Sequence, residues 1–206
     1  MVTATLVTMA GVAEFHRSVL ESSIAIVNHV TAYDLERPTP CAGWTLRHLL
    51  GHMIGQNYGY AAAADREIHD RAAFADRPVS DQPATDYAAS AREVMEAFEA
   101  RSLDGGTIFL PEVRGGITLS APMAIGFNLV DCVTHGWDVA RSLGISADFD
   151  ENALRVALKV AEAVPADAQS LDHRTPFGPR VHTASTSMLD QVIATLGRSP
   201  DWTPPA

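Results

Sequence analysis

With 206 residues, 47% of them hydrophobic and 19% charged, the chain has the apolar content for one well-filled core and lacks the composition of a disordered or fibrous segment. Twenty-five acidic residues against fifteen basic ones give a formal charge of −10, which repels the phosphate backbone that supplies most nonspecific nucleic-acid affinity, so no nucleic-acid partner is expected. The apolar opening Met1 to Ala13 has no basic flank and meets Glu14 and Arg17 well before the ~20 apolar residues that a membrane span needs, so the expectation is a cytoplasmic protein with no membrane partner.

Phe15, Val19, Ile26 and Val30 recur at helical spacing and predict a first helix over about Val12 to Tyr33, stopped by Arg37-Pro38-Thr39-Pro40. A second helix starts near Trp44-Thr45, where the Thr45 hydroxyl can cap the first turn, and runs to about Ile68. Asp81-Gln82-Pro83-Ala84-Thr85-Asp86 opens an alanine-rich third helix that lasts to about Arg101 and is ended by Asp104-Gly105-Gly106. Thr107 to Leu110 and Gly116 to Ser120 read as a small hairpin around Pro111 and Gly115. Helix four begins around Pro122 and continues through Arg141 to Gly144. Two further helices lie near Asp150 to Val164 and Thr186 to Leu196, with a rigid turn, Thr175-Pro176-Phe177-Gly178-Pro179, between them and Gly197 closing the last. No internal repeat appears, and no linker is polar or long enough to mark a second domain. The expected fold is therefore mostly α: a single domain over residues 1–206, an up-down four-helix bundle with a small β-hairpin and a C-terminal helical extension.

Two cysteines, Cys41 and Cys132, cannot form a disulfide framework and lack paired C-x-x-C spacing, so both are expected as free thiols, Cys132 on the apolar side of its helix. Helix four places Leu129, Cys132, Val133, Gly136, Trp137 and Ala140 on one side, the stripe expected to face the core, and Asn128, Asp131, His135 and Asp138 on the other. Asp131 and His135 are four apart, which puts their side chains on one face about 5–6 Å apart at Cβ, near enough to share an ion or to pair with each other. On helix two, Gly51, Gly55 and Gly59 share a face with His48, His52 and Gln56. Each glycine inside a helix costs roughly 0.8–1.0 kcal/mol relative to alanine, so close approach of another helix or of a ligand is the expected reason for them. His48 and His52 are themselves four apart and offer a competing metal pair, and spacing alone does not choose between the two sets. Trp44 and Trp137 read as packing aromatics. His16, His29, His69, His173 and His182 show no ligand spacing, and there is no G-x-S-x-G elbow, P-loop or dinucleotide fingerprint. No general acid or base stands out beside the candidate ligands.

Two segments together resemble a known family. Thr39-Pro40-Cys41-Ala42-Gly43-Trp44-Thr45-Leu46-Arg47-His48-Leu49-Leu50-Gly51-His52 is similar to the "TPC-x-GW-T-x-x-x-LL-x-H" opening of actinobacterial DinB-like metal-binding proteins of the mycothiol-dependent maleylpyruvate isomerase type. Asp131-Cys132-Val133-Thr134-His135-Gly136-Trp137-Asp138-Val139-Ala140 resembles their "E-x-x-x-HGWD-x-A" segment, and Phe177-Gly178-Pro179 with Leu196-Gly197-Arg198-Ser199-Pro200-Asp201-Trp202 is a third match. The resemblance covers about Glu14 to Trp202. It implies a DinB-like bundle in which His52, Asp131 and His135 hold a divalent metal, commonly zinc or nickel, and it selects His52 over His48. The family's acidic ligand is usually Glu; Asp131 is one methylene shorter, by about 1.5 Å, which shifts the ion, weakens it or leaves it monodentate.

Three protein ligands leave a position for water or substrate, the arrangement of a catalytic site. The resemblance implies a thiol-using isomerase or S-transferase acting on a small electrophile through a metal-bound thiolate, with mycothiol or a similar thiol as cosubstrate. Asp138, with Gln56 and Asn128, is the candidate for orienting ligand side chains, the alternative for Asp138 being a helix-surface carboxylate. Two other functions use the same residues: a metal-dependent hydrolase, and a non-catalytic metal- or ligand-binding module. Related bundles often pair, which admits a homodimer.

Overall fold

In the computed structural model, residues 9–65, 68, 70–113, 115–164 and 177–205 are described, those at 9, 10 and 102–104 as backbone only. Arg66, Glu67, His69, His173, Thr175 and Pro176 lie outside them, as do the opening residues Met1 to Thr8. Among the described residues there are six α-helices and one two-stranded sheet: α1 Met9–Val27, α2 Leu46–Asp65, α3 Pro83–Asp104, β1 Thr107–Leu110, β2 Ile117–Ser120, α4 Ala121–Leu143, α5 Glu151–Ala163 and α6 Met188–Thr195. The mostly helical bundle with a small hairpin and a C-terminal helical extension is the architecture the sequence predicts. No helix among the described residues is long and apolar enough to cross a membrane.

Helix α1 ends at Val27, about a turn and a half before the predicted Tyr33. His29 and Val30 donate to the carbonyls three residues back, of Ile26 and Val27, which tightens and closes the last turn. The chain then restarts as a short 3-10 turn at Ala32–Asp34, where the Asp34 carboxylate accepts from the Thr31 amide at 2.9 Å and from its hydroxyl at 2.7 Å. Helix α2 begins where Thr45 was expected to cap it; the His48 amide donates to the Thr45 hydroxyl at 3.5 Å. Helix α3 continues one turn beyond Arg101 before Gly105 and Gly106, both at positive φ, turn the chain into the hairpin. The hairpin register pairs Thr107 with Ser120 and Leu110 with Ile117.

Helices α1 and α2 each pack against both α3 and α4, so α1 and α2, although consecutive in sequence, lie across the bundle from one another. Val19, Leu20 and Val27 of α1, Leu46, Leu49 and Leu50 of α2, Tyr87 and Phe98 of α3, and Ile125, Leu129 and Val133 of α4 fill the shared core. Helix α5 covers α4 and part of α1, and α6 packs on α5.

Two expectations about helix faces need correction. On the polar side of α4, Asn128, His135 and Asp138 are all buried. The α1–α2 loop and the segment after α6 reach Asp138 through Cys41 and Arg198, so the reading of Asp138 as a surface carboxylate falls. The glycine face of α2 meets the short 3-10 turn Arg71–Phe74 and the extended chain after it, not another α-helix. A Cβ on Gly51 would lie 2.7 Å from the Arg77 carbonyl oxygen, on Gly55 2.4 Å from that of Ala75, and on Gly59 2.3 Å from the Phe74 ring. This strap, residues 74–79, crosses α2 at backbone contact over Gly51 and Gly55 and lays the Phe74 ring on Gly59.

Candidate metal centre

The loop entering α2 is tied down by its own polar groups. The Thr39 hydroxyl reaches the carbonyls of Cys41 and Trp44 at 3.1 and 3.0 Å, and the Leu46 amide donates to the Arg37 carbonyl at 2.9 Å. Gly43 has φ +81° with nothing within 4 Å of an added Cβ, so it is needed for the conformation of the turn and not for space. This loop presents two side chains to the space between α2 and α4, Cys41 and Trp44, the latter also 6.4 Å from the His135 ring. The Cys41 thiol donates to Asp138 Oδ2 at 3.1 Å. The Trp44 ring stacks on His48 at 4.2 Å and meets His52 edge-on at 5.1 Å.

Helix α4 supplies Asp131, His135 and Asp138 one turn apart. His135 Nε2 lies 3.4 Å from Asp131 Oδ1, and His135 Nδ1 lies 2.9 Å from Asp138 Oδ2. From α2, His52 crosses to within 5.2 Å of the His135 ring, centroid to centroid and nearly perpendicular. The potential ligand atoms of His52, Asp131 and His135 all fall within 4.8 Å of one another. His48 points instead to Asp76, its Nε2 3.2 Å from the carboxylate, and His52 Nδ1 lies 3.3 Å from the other oxygen of the same group.

A second set, Cys41, His135 and Asp138, is equally close-packed, but a cation already sits there. Arg198 donates to Cys41 Sγ at 3.5 Å and to Asp138 Oδ2 at 3.3 Å. The first set is therefore the one whose chemistry fits an added divalent ion: two imidazoles and a carboxylate. Each of those imidazoles has Nδ1 on a carboxylate; His135 turns Nε2 to Asp131, and His52 keeps Nε2 as its remaining nitrogen.

Charges here are strongly coupled. Burial works hardest against the His135 imidazolium, yet Asp131, Asp138 and Cys41 together outweigh it and hold its pKa well above the usual histidine range. Burial also opposes ionisation of Asp131 and Asp138, but His135, His52 and Arg198 overcome it for Asp131, and Arg198 and His135 for Asp138, so both carboxyls titrate low.

Gln56, one turn beyond His52, donates to Glu112 at 3.1 Å and contacts no ligand side chain by hydrogen bond. Glu112 comes from the hairpin turn. Burial, with Asp131 adding, raises its pKa to about 7 against the opposing pull of the Gln56 hydrogen bond, His52 and Arg71. An acid-base group within electrostatic reach of the ligands thus exists where the sequence offered none. Asn128 is paired elsewhere: its Oδ1 accepts from His16 Nε2 at 2.7 Å in the core.

The chain matches the family model described as the mycothiol maleylpyruvate isomerase N-terminal domain over residues 16–140. It belongs to that family. Two uncharacterized proteins of Mycobacterium tuberculosis, Rv0738 of strain H37Rv and MT0763 of strain CDC 1551, are each 30% identical to it over 191 residues, covering 89% of this chain and 96% of theirs. A crystal structure of a mutant of the mycothiol-dependent maleylpyruvate isomerase superposes with a TM-score of 0.60 at 14% identity, over 82% of this chain and 73% of that one. That likeness establishes the shared fold.

The part of the chain matching the mycothiol maleylpyruvate isomerase domain contains Cys41, His52, Asp76, Glu112, Asp131, His135 and Asp138, whereas Arg198 arrives from beyond it. Beside Arg198 in sequence, Gly197 passes Gly178 at backbone contact. Cys41 and Arg198 stood inside the family-like motifs without a role; Asp76 and Glu112 had no sequence signal, because they come from non-helical segments with no periodicity to place them.

Proposed function

We propose that this protein is a metal-dependent enzyme that uses a low-molecular-weight thiol, mycothiol or a close analogue, to isomerise or S-transfer a small electrophile. Maleylpyruvate and similar cis-unsaturated keto acids are the first substrates to test. The observation that most supports this reading is the approach of His52 from one helix to Asp131 and His135 on another, each imidazole backed by a separate carboxylate. A divalent ion held there, zinc or nickel by the character of the donors, would supply the positive charge that keeps a thiol ionised near neutral pH.

The chain's own residues account for the remaining requirements. Asp138 fixes the His135 ring, and Trp44 covers the His48 and His52 rings. In an isomerisation, the thiolate adds to one carbon of the cis double bond, pushing its electrons onto the conjugated carbonyl oxygen. Rotation about the resulting single bond and reversal of the electron flow expel the thiolate and leave the trans product. Glu112, protonated up to about pH 7, can lend its proton to that oxygen and recover it on elimination.

The deciding experiment measures metal content of the purified protein beside His52→Ala and Asp131→Ala, together with turnover of maleylpyruvate with and without mycothiol. The expected result is stoichiometric metal in the parent, its loss in both variants, and turnover only with thiol. Equal turnover without thiol would overturn the thiol-using reading, with cleaved products marking a hydrolase, and retained metal with no turnover of any thiol–electrophile pair would support a binding module.

A further inference from the structure

The glycine face of α2 has a structural partner whose chemistry the fold does not otherwise use. Phe74, buried, lies against Gly59 and meets the Tyr60 ring edge-on at 5.4 Å. Three residues on, the Arg77 amide donates to the Gly51 carbonyl at 2.9 Å, and the Val79 carbonyl accepts from Arg47 at 3.2 Å. Between these anchors the strap runs so close to the helix that any side chain at Gly55 would collide with the Ala75 carbonyl. The residue held at the centre of that crossing is Asp76.

We propose that Asp76 is a positioning residue of the candidate metal centre: docked by the strap on the Gly51, Gly55 and Gly59 face, its carboxylate holds His52 with the proton on Nδ1 and so leaves Nε2 bare for a cation. The inference rests on the metal-binding reading of His52, Asp131 and His135. Its geometry is the pair of contacts from one carboxylate, Oδ1 to His52 Nδ1 at 3.3 Å and Oδ2 to His48 Nε2 at 3.2 Å. A carboxylate only accepts, so each imidazole nitrogen facing it must carry hydrogen. A neutral imidazole with its proton on Nδ1 has its lone pair on Nε2, the one nitrogen of His52 left to join Asp131 and His135 around an ion. His48 thereby gains a role without being a ligand. Stacked on Trp44, it pins the second oxygen of Asp76 and fixes the carboxylate plane. Three glycines that each cost helix stability are explained by the same requirement, since a larger residue would lift the strap and carry Asp76 away from both rings.

The test combines zinc affinity, by competition with a chromophoric chelator, with the His52 tautomer, read from imidazole nitrogen chemical shifts of the metal-free protein at about pH 9, where an ordinary imidazole is neutral. Asp76→Ala is expected to weaken zinc binding roughly 10–100-fold and to move the His52 proton toward Nε2. Asp76→Asn, whose amide oxygen still accepts, is expected to fall between the parent and Asp76→Ala in both measurements. Gly55→Ala, which touches no ligand, should weaken zinc binding in the same direction if thermal melting shows it folded. If Asp76→Ala keeps zinc affinity within about twofold, or if affinity falls while the tautomer stays on Nδ1, the positioning role is wrong. His52→Ala in the same assay separates the two ideas. If it also leaves zinc affinity unchanged, the metal-binding reading is what fails, and the tautomer alone then decides whether Asp76 orients the ring.

Discussion

Gly197 passes Gly178 so closely that a Cβ on Gly197 would sit 2.5 Å from the Gly178 carbonyl carbon, while one on Gly178 would come no nearer than 3.5 Å to Gly197. Gly197 also has φ +82°, where a side chain is strained regardless of space. The crossing therefore needs glycine on one side only. Gly197→Ala is expected to cost about 2 kcal/mol or more in urea unfolding. It should also displace the adjacent Arg198 from Cys41 and Asp138, which a change in the alkylation rate of Cys41 would report. Gly178→Ala should cost under about 1 kcal/mol. Equal costs for the two variants would mean that the crossing is looser than this.

Arg198 and Asp138 form an ion pair with side chains 9% and 0% exposed. Removing the guanidinium leaves a buried carboxylate with His135 and Cys41 as its remaining partners, so Arg198→Met should destabilise by roughly 3 kcal/mol. Adding Asp138→Asn removes the stranded charge, and the double variant should recover part of that loss. A double-mutant cycle in chemical denaturation checks it, and strict additivity of the two substitutions would show that the pair is not coupled.

The bundle was legible because its signals are local. Apolar spacing marks the helix bodies, and Thr45, Pro83, Pro122 and Gly144 mark ends that the structure keeps within a turn. Asp131, His135 and Asp138 could be placed on one helix side by their spacing alone. What spacing could not supply was anything requiring two distant segments to meet. His52 had to be chosen over His48 by family likeness, and Arg198 reaches Asp138 across 60 positions of sequence. The glycines of α2 were visible as an anomaly, but their partner, an irregular strap, has no period to recognise. The burial of Asp138 was likewise invisible, since an amphipathic helix does not say that loops will cover its polar side.

His16 offers a test of core electrostatics away from the candidate centre. Burial is the main cause of its low pKa, about 4, with the Asn128 hydrogen bond opposing and Arg17 assisting. The unfolded chain takes up a proton near pH 6.5 that the folded protein refuses until about pH 4. Stability should therefore be full above pH 6.5 and fall as the pH drops toward 4, by roughly 3 kcal/mol from this group. His16→Gln should flatten that limb of the stability profile. An unchanged acid limb would mean that His16 does not carry it.

Metal uptake should be linked to proton release. Asp131, Asp138 and Cys41 prevail over burial and make His135 bind its proton more tightly than an ordinary histidine in the metal-free protein, and a cation on that imidazole must displace that proton. Zinc affinity is then expected to rise with pH through the neutral range, and calorimetry in buffers of different ionisation enthalpy should report about one proton released per ion. Asp138→Asn removes one carboxylate that stabilises the imidazolium, so it should shift this dependence to lower pH.

Glu112 should titrate near pH 7 in the metal-free protein, with burial the main cause and the Asp131 charge second. Carbon-13 carboxyl shifts give its midpoint directly. Asp131→Asn should lower it by removing a neighbouring negative charge, while Gln56→Ala should raise it, because the Gln56 amide stabilises the ionised form. The folded state here binds a proton more tightly than the unfolded one. Glu112 therefore favours folding most at low pH and loses that contribution as the pH rises from the ordinary carboxylate range through 7. Glu112→Gln should accordingly match the parent in stability near pH 4 and exceed it near pH 8. If Glu112 also lends its proton during turnover, the same variant loses the limb of the pH–rate profile that the parent shows as this group ionises. A parent profile unaltered by Glu112→Gln would remove Glu112 from the reaction while leaving its titration in place.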